Sequence, residues 1–208
     1  RSRNRSGSNR YAVAARRSRG IVCAVATRAC PTGVAREAPA LANGASIPTE
    51  PRLCFHSKET EQYHLALGAP GLARGDERRF ALRVLDTILG GSSSSRLFQE
   101  VREKRGLAYA VYSYASSFVD IGQVGIYVGT RRDNVGEAMG VIGEQLHRLQ
   151  DEHVPADELE RAKENVKGRT VLSMESTLAR MNRLGGSVLM DVPILTLDEL
   201  LAAIDAVS

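Results

Sequence analysis

The chain has 208 residues and a hydrophobic share of 43%, which is enough for one domain with a sizeable core. No run of eighteen or more apolar residues occurs, so the sequence excludes a membrane-spanning helix. The net charge of +4 is unevenly spread: residues 1–50 carry nine arginines and two acidic residues, whereas the other 158 residues carry nineteen basic and twenty-two acidic ones. The basic character therefore belongs to the leading segment, which argues against a nucleic-acid-binding face on the body of the chain.

Residues 1–50 show neither the strand period nor the helix period. They are rich in Arg and Ser up to Arg19 and in Ala, Gly and Pro over residues 31–48. We expect a poorly specified lead-in that is disordered, truncated or misread, and an organellar transit peptide is a further reading of such a composition. Residues 51–208 form the predicted domain, which we expect to be incomplete at its C-terminus.

The three cysteines, Cys23, Cys30 and Cys54, form no C-x-x-C pair and no even set for a disulfide framework. Reduced thiols are therefore predicted, as in a cytosol-like compartment. We expect a cytoplasmic protein of the bacterial type, with the mitochondrial matrix as the alternative.

Two strands and a helix are predicted after residue 51. Leu53 and Phe55 alternate with polar neighbours and indicate a strand, and residues 63–67 indicate a second one that ends at the Gly-Ala-Pro-Gly of residues 68–71. Asp76 is a good N-cap for a helix whose apolar stripe is Phe80, Ala81, Val84, Leu85, Ile88 and Leu89. Gly90 and Gly91 end that helix.

A second helix and a strand pair follow. The serines of residues 92–95 open a helix through Leu97, Phe98 and Val101 that stops at Gly106. Residues 107–113 read as a strand, and residues 119–130 as its antiparallel neighbour.

Helices dominate the remainder. A long one from Asp133 carries apolar residues at helical spacing, and Pro155 stands at the first turn of another that we expect to run on past Met174 to Met181. Thr196 and Glu199 have the capping-box spacing for a last helix. Strand pairs separated by helices predict the α+β class, with a largely antiparallel sheet packed against helices.

The stretch LGGSSSSRLFQEVREKRGLAY, residues 89–109, is the most informative one. A helix delivers Arg102 on its last turns, Gly106 breaks the helix, and a strand begins at once with Tyr109. A cation and a phenol are thus held near one helix–strand junction, where rigid elements position side chains well. Taken alone, Arg102 is typical of a solvated helix end and Tyr109 of a half-buried strand residue.

This stretch closely resembles the glycine- and serine-rich helix and the Arg–Tyr pair in the second half of insulinase-like peptidases. That family includes pitrilysin, the mitochondrial processing peptidase and small bacterial processing-type proteases. The resemblance extends to KETEQYHL at residues 58–65, GAPG at residues 68–71 and the helix opening at residues 158–163. It implies the two-layer α+β domain of processing-peptidase-like metallohydrolases and covers residues 51–208.

The resemblance also implies roles. Arg102 would bond substrate carbonyl groups, and Tyr109 would donate its hydroxyl toward the tetrahedral oxyanion on a zinc ion held by the other half. The first half of such enzymes carries His-x-x-Glu-His and a distal Glu. Because the four histidines here, His56, His64, His147 and His153, contain no such pattern, we assign this chain no metal and no other cofactor, and we expect zinc on an N-terminal half.

Two functions remain open at this point. The first is the C-terminal half of a zinc endopeptidase that cleaves extended peptides or unfolded segments and is inactive alone. The second is a non-catalytic structural or partner subunit of the same family. In either case the expected partner is a zinc-bearing half or a homologous subunit, and peptide is the substrate of the first. We rank nucleic-acid binding through the Arg-rich lead well below both.

Overall fold

The computed structural model describes residues 61–208, so the lead-in and the predicted strand at Leu53 and Phe55 lie outside the described residues. The elements in chain order are β1 (Tyr63–Gly71), α1 (Arg79–Leu89), a π-helix (Phe98–Glu103), β2 (Ala108–Ser117), β3 (Gly122–Thr130), a 3-10 turn (Arg132–Asn134), α2 (Val135–Asp151), α3 (Ala156–Ser173), α4 (Thr177–Leu189) and α5 (Leu197–Asp205). Within residues 61–208, no helix is both long enough and apolar enough to cross a membrane.

The sheet has three described strands in the order β1–β3–β2, and both neighbours run antiparallel to the central β3. The predicted pairing of the strands around residues 107–113 and 119–130 is therefore confirmed. One face of the sheet packs on helices, which confirms the α+β class.

Two apolar clusters hold the layers together. The first joins the inner sheet face to the π-helix and α2, and its members are Leu65, Leu97, Val101, Leu107, Ala108, Val111, Ile126, Val128, Ala138, Val141 and Ile142. The second joins α1, α3 and α5 through Val84, Ile88, Ala162, Val166 and Ile204. Full burial of each Val, Leu or Ile contributes about 1.5–3 kcal/mol before entropy is subtracted. The first cluster therefore stabilises the packing of the N-terminal end of β2.

The N-cap of α1 is Arg78, two residues after the predicted Asp76, and it makes no side-chain capping hydrogen bond. The helix begins at Arg79, and the Asp76 carboxylate accepts a hydrogen bond from the backbone N–H of Arg78 at 2.9 Å, which caps the turn that leads into it. Hydrogen bonds from the Arg78 side chain and backbone lower the pKa of Asp76 to about 2.

Gly90 ends α1 as predicted, and its neighbours explain the residue type. A Cβ atom there would lie 2.3 Å from the backbone nitrogen of Ser113, so α1 can meet β2 this closely only without a side chain. At the other end of the chain, Thr196 and Glu199 form the predicted capping box of α5.

Two local predictions are wrong. Residues 68–71 do not end β1, because the strand continues to Gly71, which pairs with Gly122. β1 is at the edge of the described sheet, where a proline such as Pro70 is tolerated. The helix from Pro155 does not run to Met181 either: α3 ends at Ser173, and the hydroxyl of Ser176 caps a separate α4 by accepting from the N–H of Ala179.

The predicted helix between the serines and Gly106 is present, but its main part is a π-helix. The N–H of Lys104 donates to the carbonyl of Gln99, five residues earlier, at 2.9 Å. Such a wide turn is rare and occurs frequently at functional sites.

Candidate active-site pair at a helix–strand junction

The predicted pair, Arg102 and Tyr109, comes together in the structure. We call residues 96–109 the junction. The Arg102 guanidinium carbon lies 5.0 Å from the centre of the Tyr109 ring and 4.8 Å from the centre of the Phe98 ring. Both contacts are within cation–π range. The cation is thus held over two rings, while 78% of Tyr109 remains accessible to solvent.

A β-bulge aims Tyr109 outward. Ala108 pairs with Thr130 and Ala110 pairs with Gly129, so Tyr109 is an extra residue with no partner on β3. Strict alternation would place Tyr109 on the same face as Val111, which is buried. Because of the bulge, Ala108 and Val111 both face the core, although they are three positions apart.

The backbone between the two side chains is anchored at Leu107. Its N–H donates to the carbonyl of Val101 at 2.8 Å. Its carbonyl accepts two hydrogen bonds, from the hydroxyl of Thr130 at 2.5 Å and from the side-chain amide of Asn134 at 3.1 Å. Gly106 makes the turn with φ of 59°, a conformation that favours glycine. The junction is therefore fixed on both sides of the turn.

Two neighbouring cations share one carboxylate at short distance, whereas Arg102 has a longer contact with its own acidic neighbour. Lys104 and Arg105 both bind the Glu100 carboxylate at 2.6 Å, and their hydrogen bonds lower the pKa of Glu100, with the larger contribution from Lys104. Arg102 has only a 3.5 Å contact with Glu103, itself half-exposed. Its guanidinium therefore keeps donors that an incoming peptide carbonyl can accept from.

The pair opens onto a cleft of about 390 Å³ at the start of β2, lined also by Thr130, Arg131 and Asn134. In residues 61–208, no three His, Cys, Asp or Glu side chains lie close enough together to hold a metal ion. His64 is on the outer sheet face, hydrogen-bonded to the hydroxyl of Tyr127 at 2.6 Å. The described residues do not fit a zinc site.

Sequence reasoning missed the bulge, the π-helix and the two side chains that hold Leu107. The tyrosine spacing marks the bulge only once the fold is known. The exposed Tyr109 and Tyr112 are three residues apart, whereas Tyr112 and Tyr114, which lies over Gly125, are two apart. Thr130 and Asn134 act across more than twenty residues of sequence, so no local pattern marks them.

Comparisons with known proteins find related sequences. A family model described as the peptidase M16 inactive domain matches residues 36–166. A protein named as an uncharacterised zinc protease of Streptomyces coelicolor is 49% identical over 151 residues, which are 73% of this chain and 33% of that protein. One from Bacillus subtilis with the same description is 48% identical over 151 residues, 73% of this chain and 37% of the relative. The chain thus spans about a third of the length of the curated relatives it matches.

Solved structures of similar fold also superpose on this chain. A conserved protein from Enterococcus faecalis superposes with a TM-score of 0.63 at 29% identity, over 73% of this chain and 35% of the other. The peptidase M16 inactive domain from Pseudomonas fluorescens superposes with a TM-score of 0.60 at 26% identity, over 72% of this chain and 39% of the other.

Proposed function

Given that this chain belongs to the peptidase M16 inactive-domain family, we propose that it is the C-terminal half of a zinc-dependent endopeptidase that cleaves extended peptides or unfolded segments. In this proposal the chain is inactive alone and contributes two substrate-contacting side chains, Arg102 and Tyr109. The zinc ion and its ligands belong to a separate N-terminal half or homologous subunit.

The observation that carries the proposal is the placement of a cation and a phenol on one exposed edge of a fixed backbone. Arg102 lies over the Tyr109 ring at 5.0 Å, and the bulge turns that ring out of the core. A side chain whose role is packing is normally buried, whereas 78% of Tyr109 is exposed. The anchored carbonyl of Leu107 limits how far the two groups can separate.

The chemistry follows from the two donor types. Arg102 carries five N–H donors in a planar fork and can bind peptide carbonyls of an extended substrate. Tyr109 presents one O–H, which donates a hydrogen bond to the oxygen that becomes negative when a peptide carbonyl is attacked. A donor fixed at developing charge lowers the barrier by about 2.7–4 kcal/mol. Neither role requires a proton to leave the tyrosine.

In this proposal zinc is not bound by residues 61–208, which contain no group of side chains that fits a zinc site. When bound in the other half, the metal would supply an activated water. The relatives that match this chain are named as zinc proteases and are about three times as long as the matched stretch. A second half with its own ligands is therefore the simplest source of the metal.

The test pairs this chain with a zinc-bearing half. The chain is co-expressed with the N-terminal half of the Streptomyces coelicolor relative, and cleavage of an internally quenched, unstructured peptide is followed. We expect no cleavage by either half alone and zinc-dependent cleavage by the complex. Tyr109→Phe should lower kcat by about 10²–10³-fold, because only the hydroxyl is lost. Arg102→Gln should mainly raise KM.

Tyr112→Phe is the matched control. Tyr112 is also exposed on β2, but its ring stacks on Tyr127 at 5.0 Å rather than on Arg102. Tyr112→Phe should leave kcat unchanged. If the complex forms and cleaves peptide, yet Tyr109→Phe and Tyr112→Phe behave alike, the role of Tyr109 is wrong.

A second candidate is a non-catalytic partner subunit. It is favoured by α4, whose apolar side chains Leu178, Met181, Val188 and Leu189 are each at least 60% exposed. Such a stripe indicates a contact with another part of a larger assembly. This candidate predicts a complex that forms normally and shows no cleavage with any peptide, whatever stands at position 109.

A further inference from the structure

Five arginines line a single cavity of about 530 Å³ between α1, α3, α4 and the end of β2. They are Arg74, Arg79, Arg83, Arg169 and Arg183. Among the described lining residues the only carboxylate is that of Asp86, so five positive charges face one negative charge. The cavity shares no lining residue with the cleft at Arg102 and Tyr109.

Within residues 61–208, none of the five arginines forms a direct ion pair with a carboxylate, in contrast to many basic residues elsewhere. Arg96, Arg148, Arg161 and Lys167 each form an ion pair with an acidic side chain. In the cavity, the guanidinium groups use backbone carbonyls instead: Arg79 donates to Asp76, Arg169 to Gly91 and Arg183 to Leu195. These partners carry no net charge, so the positive charges are balanced only by longer-range attraction, that of Arg79 to Asp76 and of Arg169 to Asp86.

Two further observations concern the polar groups of this cavity. The Nε atom of Arg183 is buried and has no hydrogen-bond partner in the described part of the protein, although a buried N–H left unsatisfied is costly. In addition, desolvation lowers the pKa of the Arg83 side chain, and the positive charge of Arg169 lowers it further. Arg83 and Arg169 therefore repel each other inside the cavity, and Arg169 is also attracted to Asp86.

We propose that this cavity binds a small multivalent oxyanion of the phosphate class. Arginine is suited to such a ligand because its planar fork donates two parallel hydrogen bonds to neighbouring phosphate oxygens. A tetrahedral anion with several oxygens can accept from more than one wall at once, including the unpartnered Nε of Arg183. The cavity volume suits a small ligand rather than a protein segment. The proposal is independent of the peptidase activity proposed above.

The test is isothermal titration calorimetry of the full chain with inorganic phosphate, pyrophosphate and citrate at constant chloride concentration. We expect saturable binding of phosphate, tighter binding of pyrophosphate because it carries more charge and more oxygens, and weak binding of citrate. Arg83→Gln and Arg169→Gln should each weaken pyrophosphate binding about tenfold, the value of one charge-assisted hydrogen bond.

The matched control is Arg180→Gln. Arg180 is an exposed arginine on α4, without an ion pair in residues 61–208, that does not line the cavity. Its loss removes the same charge and should leave the affinity unchanged. Equal weakening in Arg180→Gln would mean that only net charge matters and would overturn the proposal, as would the absence of saturable binding or a preference for citrate.

Thermal melts with and without pyrophosphate distinguish a loss of anion binding from a loss of stability. Because Arg83 and Arg169 repel each other, Arg83→Gln should raise the Tm of the anion-free protein while it weakens anion binding. Pyrophosphate should raise the Tm of the unaltered chain more than that of Arg83→Gln. A variant that loses stability and affinity together, with no gain in the anion-free melt, would show that Arg83 is a structural residue and would contradict the site.

Discussion

The junction and α4 are organised in opposite ways. In the junction, apolar groups such as Val101 and Leu107 are buried, and the carbonyl of Leu107 has two side-chain donors. In α4, by contrast, Arg183 and Ser187 face the interior cavity, while Leu178 and Val188 face solvent. A helix on a protein surface normally has the reverse arrangement. The junction is thus complete within the described residues, whereas α4 presents an apolar stripe to solvent.

The largest expected effect concerns the ion pair that ties the junction to α3. Arg96 donates two hydrogen bonds to Glu158, at 2.8 and 2.6 Å, and its side chain is only 9% exposed. Glu158→Ala should lower the free energy of unfolding by about 3 kcal/mol, because a buried guanidinium loses its partner. Urea denaturation measures this.

Asp157→Ala is the control for that substitution. Asp157 precedes Glu158 on the same helix but pairs with Arg161 in solvent. Its removal should leave the urea midpoint unchanged. A similar loss in both variants would show that the junction is not tied to α3 through Arg96.

A smaller effect is expected from Thr130→Val, which keeps the shape of the side chain and removes its hydrogen bond to Leu107. The cost should be about 1–2 kcal/mol, since Asn134 still donates to the same carbonyl. Thr130→Val combined with Asn134→Ala should cost more than the sum of the two single changes. Strict additivity in a double-mutant cycle would mean that the carbonyl of Leu107 is not jointly held.

For α4 the expected change in stability is smaller still. Leu178→Lys with Met181→Lys should alter the free energy of unfolding by no more than about 0.5 kcal/mol, because both side chains are already exposed. We expect the isolated chain to self-associate through this stripe, and the same pair of changes should suppress that association in light scattering. A monodisperse monomer before the change would show that the stripe does not drive association.

The smallest effect is a difference in acid response. Glu100 has a lowered pKa in the folded protein, so its stabilising contribution is present above its ordinary value of 4.5 and is lost as the pH falls through the lowered value. Helix α4 contains no acidic residue and should not change in that range. Amide chemical shifts followed over an acid titration should move around Glu100 and stay constant in α4.

Local signals predicted much of the fold. Gly90, Pro155 and Thr196 mark helix ends in the sequence, and the structure has helix ends at or next to all three. The family prediction made from residues 89–109 is confirmed by the family match. The break between α3 and α4 is not predicted, because the apolar residues on both sides of Ser176 have helical spacing.

The geometry of the candidate site could not be read in the same way. The sequence predicts that Arg102 and Tyr109 are near each other, and the structure brings them together; their catalytic roles stay predictions. What the sequence does not contain is the outward aim of Tyr109, which depends on pairing with β3, and the support from Thr130, which depends on the folded sheet. Contacts of this kind join residues that are far apart in the sequence, so they produce no periodic pattern in it.

The bulge at Tyr109 has a consequence for how other chains can approach the sheet. β2 and β1 are the two edges of the described sheet, and each edge is interrupted, by the bulge near the start of β2 and by Pro70 near the end of β1. Interrupted edges resist edge-to-edge pairing between molecules, which is a common route to aggregation. The two interruptions lie at opposite ends of the sheet. Each one prevents its own edge from offering its full length to an added strand. A chain that arrives at the Tyr109 end of β2 therefore meets side chains rather than a continuous row of backbone hydrogen-bonding groups.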